Sequence, residues 1–71
     1  MPRLPQVSGS QVVSALQRLG FEVTRQRGSH IVMRRGGSGC VVPNHRELKV
    51  GTLAGVIRQA GIPVEDFLDA L

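Results

Sequence analysis

Apolar residues recur along this chain in two rhythms. Val12, Val13, Leu16 and Leu19 fall on one face of a helix whose other positions hold Gln11, Ser14, Gln17 and Arg18. Ser8 or Ser10 can cap its start, because a serine oxygen accepts from the free N–H groups of a first turn. Gly20 is placed to end it. The rhythm then changes. Phe21, Val23 and Thr24 are bulky or β-branched and predict a strand. Gly28-Ser29 predicts a turn, and His30 to Arg34, with Ile31 and Val32, predicts a second strand returning antiparallel. Arg35 to Gly39 reads as a looser turn. Cys40, Val41 and Val42 form a third short strand, which Pro43 ends or confines to an edge.

The helical rhythm returns after a polar loop from Asn44 to Gly51. Thr52 is the expected cap of a second helix with Leu53, Val56, Ile57 and Ala60 on one face, closed by Gly61. Pro63 suits the first turn of a third helix, where its missing N–H is not needed. Glu65 and Asp66 sit near that helix's positive end, and Phe67, Leu68 and Leu71 supply apolar contacts. Met1 to Val7, with Pro2 and Pro5, reads as an extended lead-in. The order helix, three strands, helix, helix predicts an α+β fold, an antiparallel sheet with helices on one face and solvent on the other.

Length narrows this further. Seventy-one residues make one domain, residues 1–71, and a chain this short buries only about 60% of the surface it exposes when unfolded. Its only Trp, Tyr or Phe residues are Phe21 and Phe67, so the core must be aliphatic and a large internal pocket is not expected. Chemistry should lie on an exposed face or in a shallow groove. The single cysteine, Cys40, excludes an internal disulfide, reads as a small apolar strand residue, and fits a reducing compartment. The N-terminal stretch MPRLPQVSGSQ has no apolar leader core, and nowhere do about 18 apolar residues run together. The expectation is a soluble, cytoplasmic protein with no membrane association.

The net charge of +4 is concentrated in the middle of the chain. From Val23 to Lys49, Arg25, Arg27, Arg34, Arg35, Arg46 and Lys49 face Glu47 alone, while the rest of the chain is slightly acidic. Such a segment favours a polyanionic partner, because each basic group that neutralises a phosphate releases condensed counterions. A solvated, solubilising strand surface is the plainer reading of the same charge.

Only His30 and His45 belong to the residue type that titrates near neutral pH. No Cys/His set has zinc spacing, no carboxylate pair suits glycoside hydrolysis, and no Gly-rich phosphate loop opens a helix. Glu47 is the lone acid of the basic segment, which argues against a two-metal nuclease and predicts no metal and no cofactor. If the second hairpin turns near Gly37, His30 lies opposite Asn44 or His45, and opposed residues have Cβ atoms about 5 Å apart. Both histidines would then border one end of the sheet near Arg25, Arg27 and Arg46. Histidine and arginine suffice for metal-free RNA cleavage: imidazole moves the proton, cations steady the anionic phosphorane. DNA lacks the attacking 2′-OH and is not an expected substrate. A lone Gly-Ser-His is a weak motif, and on spacing alone a histidine that simply starts a strand beside a turn is the better explanation.

The motifs taken together are more specific. LQRLGF (Leu16 to Phe21), RGSH (Arg27 to His30), VVPNH (Val41 to His45), ELKVGTL (Glu47 to Leu53) and IRQAGI (Ile57 to Ile62) resemble, in this order, the HicA family of bacterial mRNA interferase toxins. The resemblance implies a double-stranded-RNA-binding-domain-like fold. It also implies ribosome-independent mRNA cleavage and neutralisation by a HicB-type antitoxin. The catalytic histidine of the family's Gly-Ser-His maps onto His30. Ser29 would orient phosphate or imidazole, or serve only the turn with Gly28. His45 is a possible supporting residue. Arg25, Arg27, Arg46 and Lys49 would meet RNA, and Arg34 and Arg35 would only solubilise an edge. Two departures stand out: Ile31 follows the histidine, and Gly36-Gly37-Ser38-Gly39 replaces a Pro-Asp-Gly-like turn. The alternatives are a non-catalytic RNA-binding module, an inactive toxin remnant and a protein-interaction domain.

Overall fold

The computed structural model describes residues 3–71; Met1 and Pro2, part of the expected lead-in, lie outside the described residues. Helix α1 (Gly9–Arg18) is followed by strands β1 (Glu22–Arg27), β2 (His30–Arg35) and β3 (Ser38–Pro43), then by helices α2 (Val50–Ala60) and α3 (Val64–Ala70). The strands form one antiparallel sheet in the order β1-β2-β3. This is the expected α+β architecture, consistent with a double-stranded-RNA-binding-domain-like fold.

Helix α1 begins at a complete capping box. The Ser8 hydroxyl accepts from the Gln11 N–H at 3.1 Å, and the Gln11 side-chain oxygen accepts from the Ser8 N–H at 2.9 Å. Its far end closes as a Schellman turn: the Phe21 N–H donates to the Leu16 carbonyl and the Gly20 N–H to that of Gln17. Phe21 and Leu16, both buried, supply the apolar contact that accompanies this turn.

Two arginines then satisfy helix C-terminal carbonyls, where a cation also complements the dipole. Arg35 donates to the Leu19 carbonyl at 2.8 Å and lies over the Phe21 ring, 4.8 Å from its centroid. Arg18 donates to the Ala70 carbonyl at 2.8 Å, joining α1 to the end of α3. Arg35 therefore helps fasten the fold, beyond the solubilising role expected of it.

Strands β2 and β3 alternate between buried and exposed positions, whereas β1 is exposed along its whole length. Ile31 and Met33 of β2 and Cys40 and Val42 of β3 turn inward and pair across the sheet. They meet Val12, Leu16, Leu53, Val56 and Phe67 in one core. Burial pushes the Cys40 thiol up, which suits an inert apolar residue. The opposite sheet face carries His30, Val32 and Arg34, with Arg25 and Arg27 paired to Val32 and His30. A bulge between Val23 and Arg25 turns Val23 to the Met33 side and leaves Glu22 opposite Arg34. The outer edge of β3 is covered by α2, where the Gln59 side-chain oxygen accepts from the Val41 N–H. The edge at β1 stays open, guarded by its charges.

Several boundaries differ from expectation. The second turn is tight, Gly36-Gly37, so β3 starts at Ser38 and ends on Pro43. Consequently His30 pairs with Pro43, not with Asn44 or His45. Helix α2 starts at Val50 with Lys49 as its unsatisfied cap, so Thr52 lies within its first turn. Pro63 is the cap of α3 and Val64 its first helical residue. Of the three apolar residues assigned to α3 packing, Phe67 is fully buried and Leu68 half-buried, whereas Leu71 is exposed.

Candidate functional site

His30 opens β2 directly after the two-residue turn Gly28-Ser29. Gly28 takes φ 53° at the first loop position, a geometry that tight hairpins reserve for glycine. His30 is exposed on the open sheet face between Arg27 on one side and Pro43 on the other. Arg25 lies two residues along β1 on the same face. Glu22 is opposite Arg34 at the far end of the sheet. Arg25 and Arg27 at the His30 end have no acidic residue opposite them in the sheet.

Beyond Pro43 the chain enters the loop that carries His45, Arg46 and Lys49, and main-chain bonds hold this loop in place. The Asn44 N–H donates to the Ser29 carbonyl at 2.6 Å, prolonging the β2–β3 ladder past its last pair. The Gly9 N–H donates to the His45 carbonyl at 2.8 Å, and the Leu48 N–H to the Val7 carbonyl at 2.8 Å. Leu48 is buried and anchors the loop in the core. Gly9 is buried against this loop so closely that a Cβ there would overlap the Pro43 carbonyl oxygen and crowd Asn44 Cα at 2.8 Å. The start of α1 therefore sets the loop's position.

Sheet end and loop enclose an open hollow of about 350 Å³. Pro43 and Leu48 contribute its apolar wall, and His30, His45, Glu47, Lys49 and Thr52 its polar lining. The first turn of α2 has no acidic residue and no side-chain cap, so its positive end adds to the charge of Lys49. Among the described residues, no three His, Cys, Asp or Glu side chains gather where a metal ion could be held. The lining offsets Lys49 with Glu47, so the positive charge available to an anion there comes from the start of α2 and from Arg25 and Arg27 on the adjoining face, next to two imidazoles that can exchange a proton.

A family model described as the HicA toxin of bacterial toxin–antitoxin systems matches residues 9–62. The chain belongs to the HicA toxin family. The matched span covers every residue of the hollow and both strand arginines beside it. Membership in this toxin family implies a cognate antitoxin as a partner of the HicA chain. No match emerges among curated protein sequences.

Of the residues singled out from sequence, His30, His45 and Lys49 come together around the hollow, and Arg25 and Arg27 lie on the adjoining sheet face. Arg46 is exposed on the same loop without lining the hollow. Ser29 takes part through its carbonyl, which ties the loop to the turn. Sequence reading missed Gly9 as the loop's seat and Thr52 as part of the hollow. The second was recoverable had the start of α2 been set at Val50, one helical turn below Leu53. No helix among the described residues is long and apolar enough to cross a membrane.

Proposed function

We propose that this HicA chain is an endoribonuclease that cleaves mRNA without a metal ion, with His30 as the imidazole that transfers the proton. The observation that carries this reading is the place of His30: exposed at the start of a paired strand, beside Arg27, and lining one hollow with His45 and Lys49. A phosphodiester seated there has its charge met by Lys49, the start of α2 and the strand arginines, while the imidazole reaches the reacting oxygens. Attack by the ribose 2′-OH on the adjacent phosphorus makes RNA the substrate and DNA inert.

The phenylalanines give this site no stacking platform, since Phe21 and Phe67 are both in the core. Recognition then rests on backbone charge, shape and 2′-OH groups, and base selectivity is modest. A HicB-type antitoxin neutralises the toxin by covering the same basic face, where acidic groups would compete with phosphate for Arg25, Arg27, Arg46 and Lys49.

The test is induction of wild type and His30→Ala in a bacterium, with RNA integrity and growth as readouts. Wild type should fragment mRNA and arrest growth, and the variant should do neither while accumulating as folded protein. Equal arrest by both would overturn the assignment. Arrest without RNA fragmentation would instead favour an RNA-binding module that blocks its target.

A further inference from the structure

We propose that His45 is the second proton-transfer residue of this site, acting with His30 as an acid–base pair on one phosphodiester; the proposal rests on the ribonuclease reading above. The two are the only histidines of the chain, they come from separate segments, and they line the same hollow. His30 begins β2, whereas His45 lies two residues past the end of β3, outside the strand ladder.

The loop is built so that the imidazole of His45 is not needed to hold it. Its N–H donates to the Pro43 carbonyl at 3.0 Å and its carbonyl accepts from the Gly9 N–H. Neighbouring bonds from Asn44 to Ser29 and from Leu48 to Val7 complete the fastening. The Asn44 bond is made to Ser29, so the residues that precede the two histidines are joined by one main-chain hydrogen bond. A loop histidine retained only as a cap would make such bonds with its side chain. Here main-chain bonds fix the loop, and the exposed imidazole is left at the hollow's edge. That is the arrangement proton transfer requires: a positioned backbone and a free ring.

The charged groups around the pair come from three elements. Arg27 of β1 stands beside His30, Glu47 and Lys49 line the hollow from the loop, and the first turn of α2 brings Thr52 and no acid. The reaction balances within this set. One neutral imidazole takes the proton of the 2′-OH as the 2′-oxygen bonds to phosphorus. The other, protonated, gives its proton to the 5′-oxygen as the P–O5′ bond breaks. The products are a 2′,3′-cyclic phosphate and a 5′-hydroxyl, and the two rings end with their protonation states exchanged.

The experiment uses the full chain and an oligonucleotide with a single ribonucleotide linkage, prepared with either ordinary oxygen or bridging sulfur at the 5′ leaving position. A thiolate leaves without protonation, so sulfur relieves the need for the acid but not for the base. His30→Ala and His45→Ala should each slow cleavage of the ordinary linkage by about 10²-fold or more. Sulfur should restore one of the two variants, and only one, to near the wild-type rate. Thermal melting of His45→Ala should match wild type, because every loop bond described is main-chain. Wild-type cleavage by His45→Ala, or loss in both variants with rescue of neither, would overturn the pair. If the wild-type chain leaves the ordinary linkage intact, the ribonuclease reading itself fails, a separate outcome; wild-type cleavage by His30→Ala removes His30, and with it the pair.

Discussion

One methyl group distinguishes two kinds of glycine in this chain. At Gly9 an added Cβ would meet main-chain atoms of Pro43, Asn44 and His45, none of which can turn aside as a side-chain tip can. Gly9→Ala should therefore cost about 1–3 kcal/mol, the usual range for overpacking, and displace the His45 loop. At Gly55, inside α2, nothing lies within 4 Å of the same methyl. Gly55→Ala should stabilise by about 1 kcal/mol through helix propensity. Denaturant titration of the two variants checks the opposite signs, and a stability loss at Gly55 would contradict the packing described. Neither effect was legible in sequence, where both are glycines among small or polar neighbours. The same is true of Arg34 and Arg35: adjacent and chemically identical, they face opposite ways, and only Arg35 reaches Phe21 and the end of α1.

The elements themselves were largely legible, because periodicity and turn residues are local. The helix rhythm of α1, the turn at Gly28-Ser29 and the closure of α2 at Gly61 are all where the pattern puts them. Register was not legible to the residue. Four consecutive small residues, Gly36 to Gly39, allow several turns, and the tight choice moves His30 from the Asn44 or His45 position to Pro43. His45 still reaches the hollow, by way of a loop and not a ladder. That loop depends on α1, so the helix cap bears on the site. Ser8→Ala removes half of the capping box and should cost about 1 kcal/mol, lowering Tm by roughly 4–8 °C in a domain of this size. Calorimetry or thermal circular dichroism reads it, and an unchanged Tm would mean that the box carries no load.

For the molecule as a whole, the sheet divides labour between its faces. The inner face builds the core with the helices, and the outer face keeps Arg25, Arg27 and His30 exposed. The charge excess of the middle segment predicted a polyanion surface, and composition alone could not separate that from a solubilising strand. Topology adds what composition lacked: it puts Arg25 and Arg27 on the sheet face beside a hollow lined by both histidines and Lys49, with Arg34 and Arg35 at the other end of the sheet. If Arg25 and Arg27 each meet a phosphate, replacing both with alanine should weaken RNA binding and lower the slope of log K against log salt by about 1.4 for single-stranded RNA. Titration of a catalytically silent His30→Ala background over a salt series measures it. An unchanged slope would remove these two arginines from the RNA path.

The central claim is that His30 cleaves RNA by proton transfer and without a metal. Purified wild type and His30→Ala incubated with a defined RNA in excess EDTA, with the new ends identified, test it most directly. The expected result is cleavage by wild type that EDTA does not stop, ending in 2′,3′-cyclic phosphate and 5′-hydroxyl groups, with the variant slower by about 10²-fold or more. Cleavage that EDTA abolishes and a divalent cation restores, or equal cleavage by the variant, would contradict it.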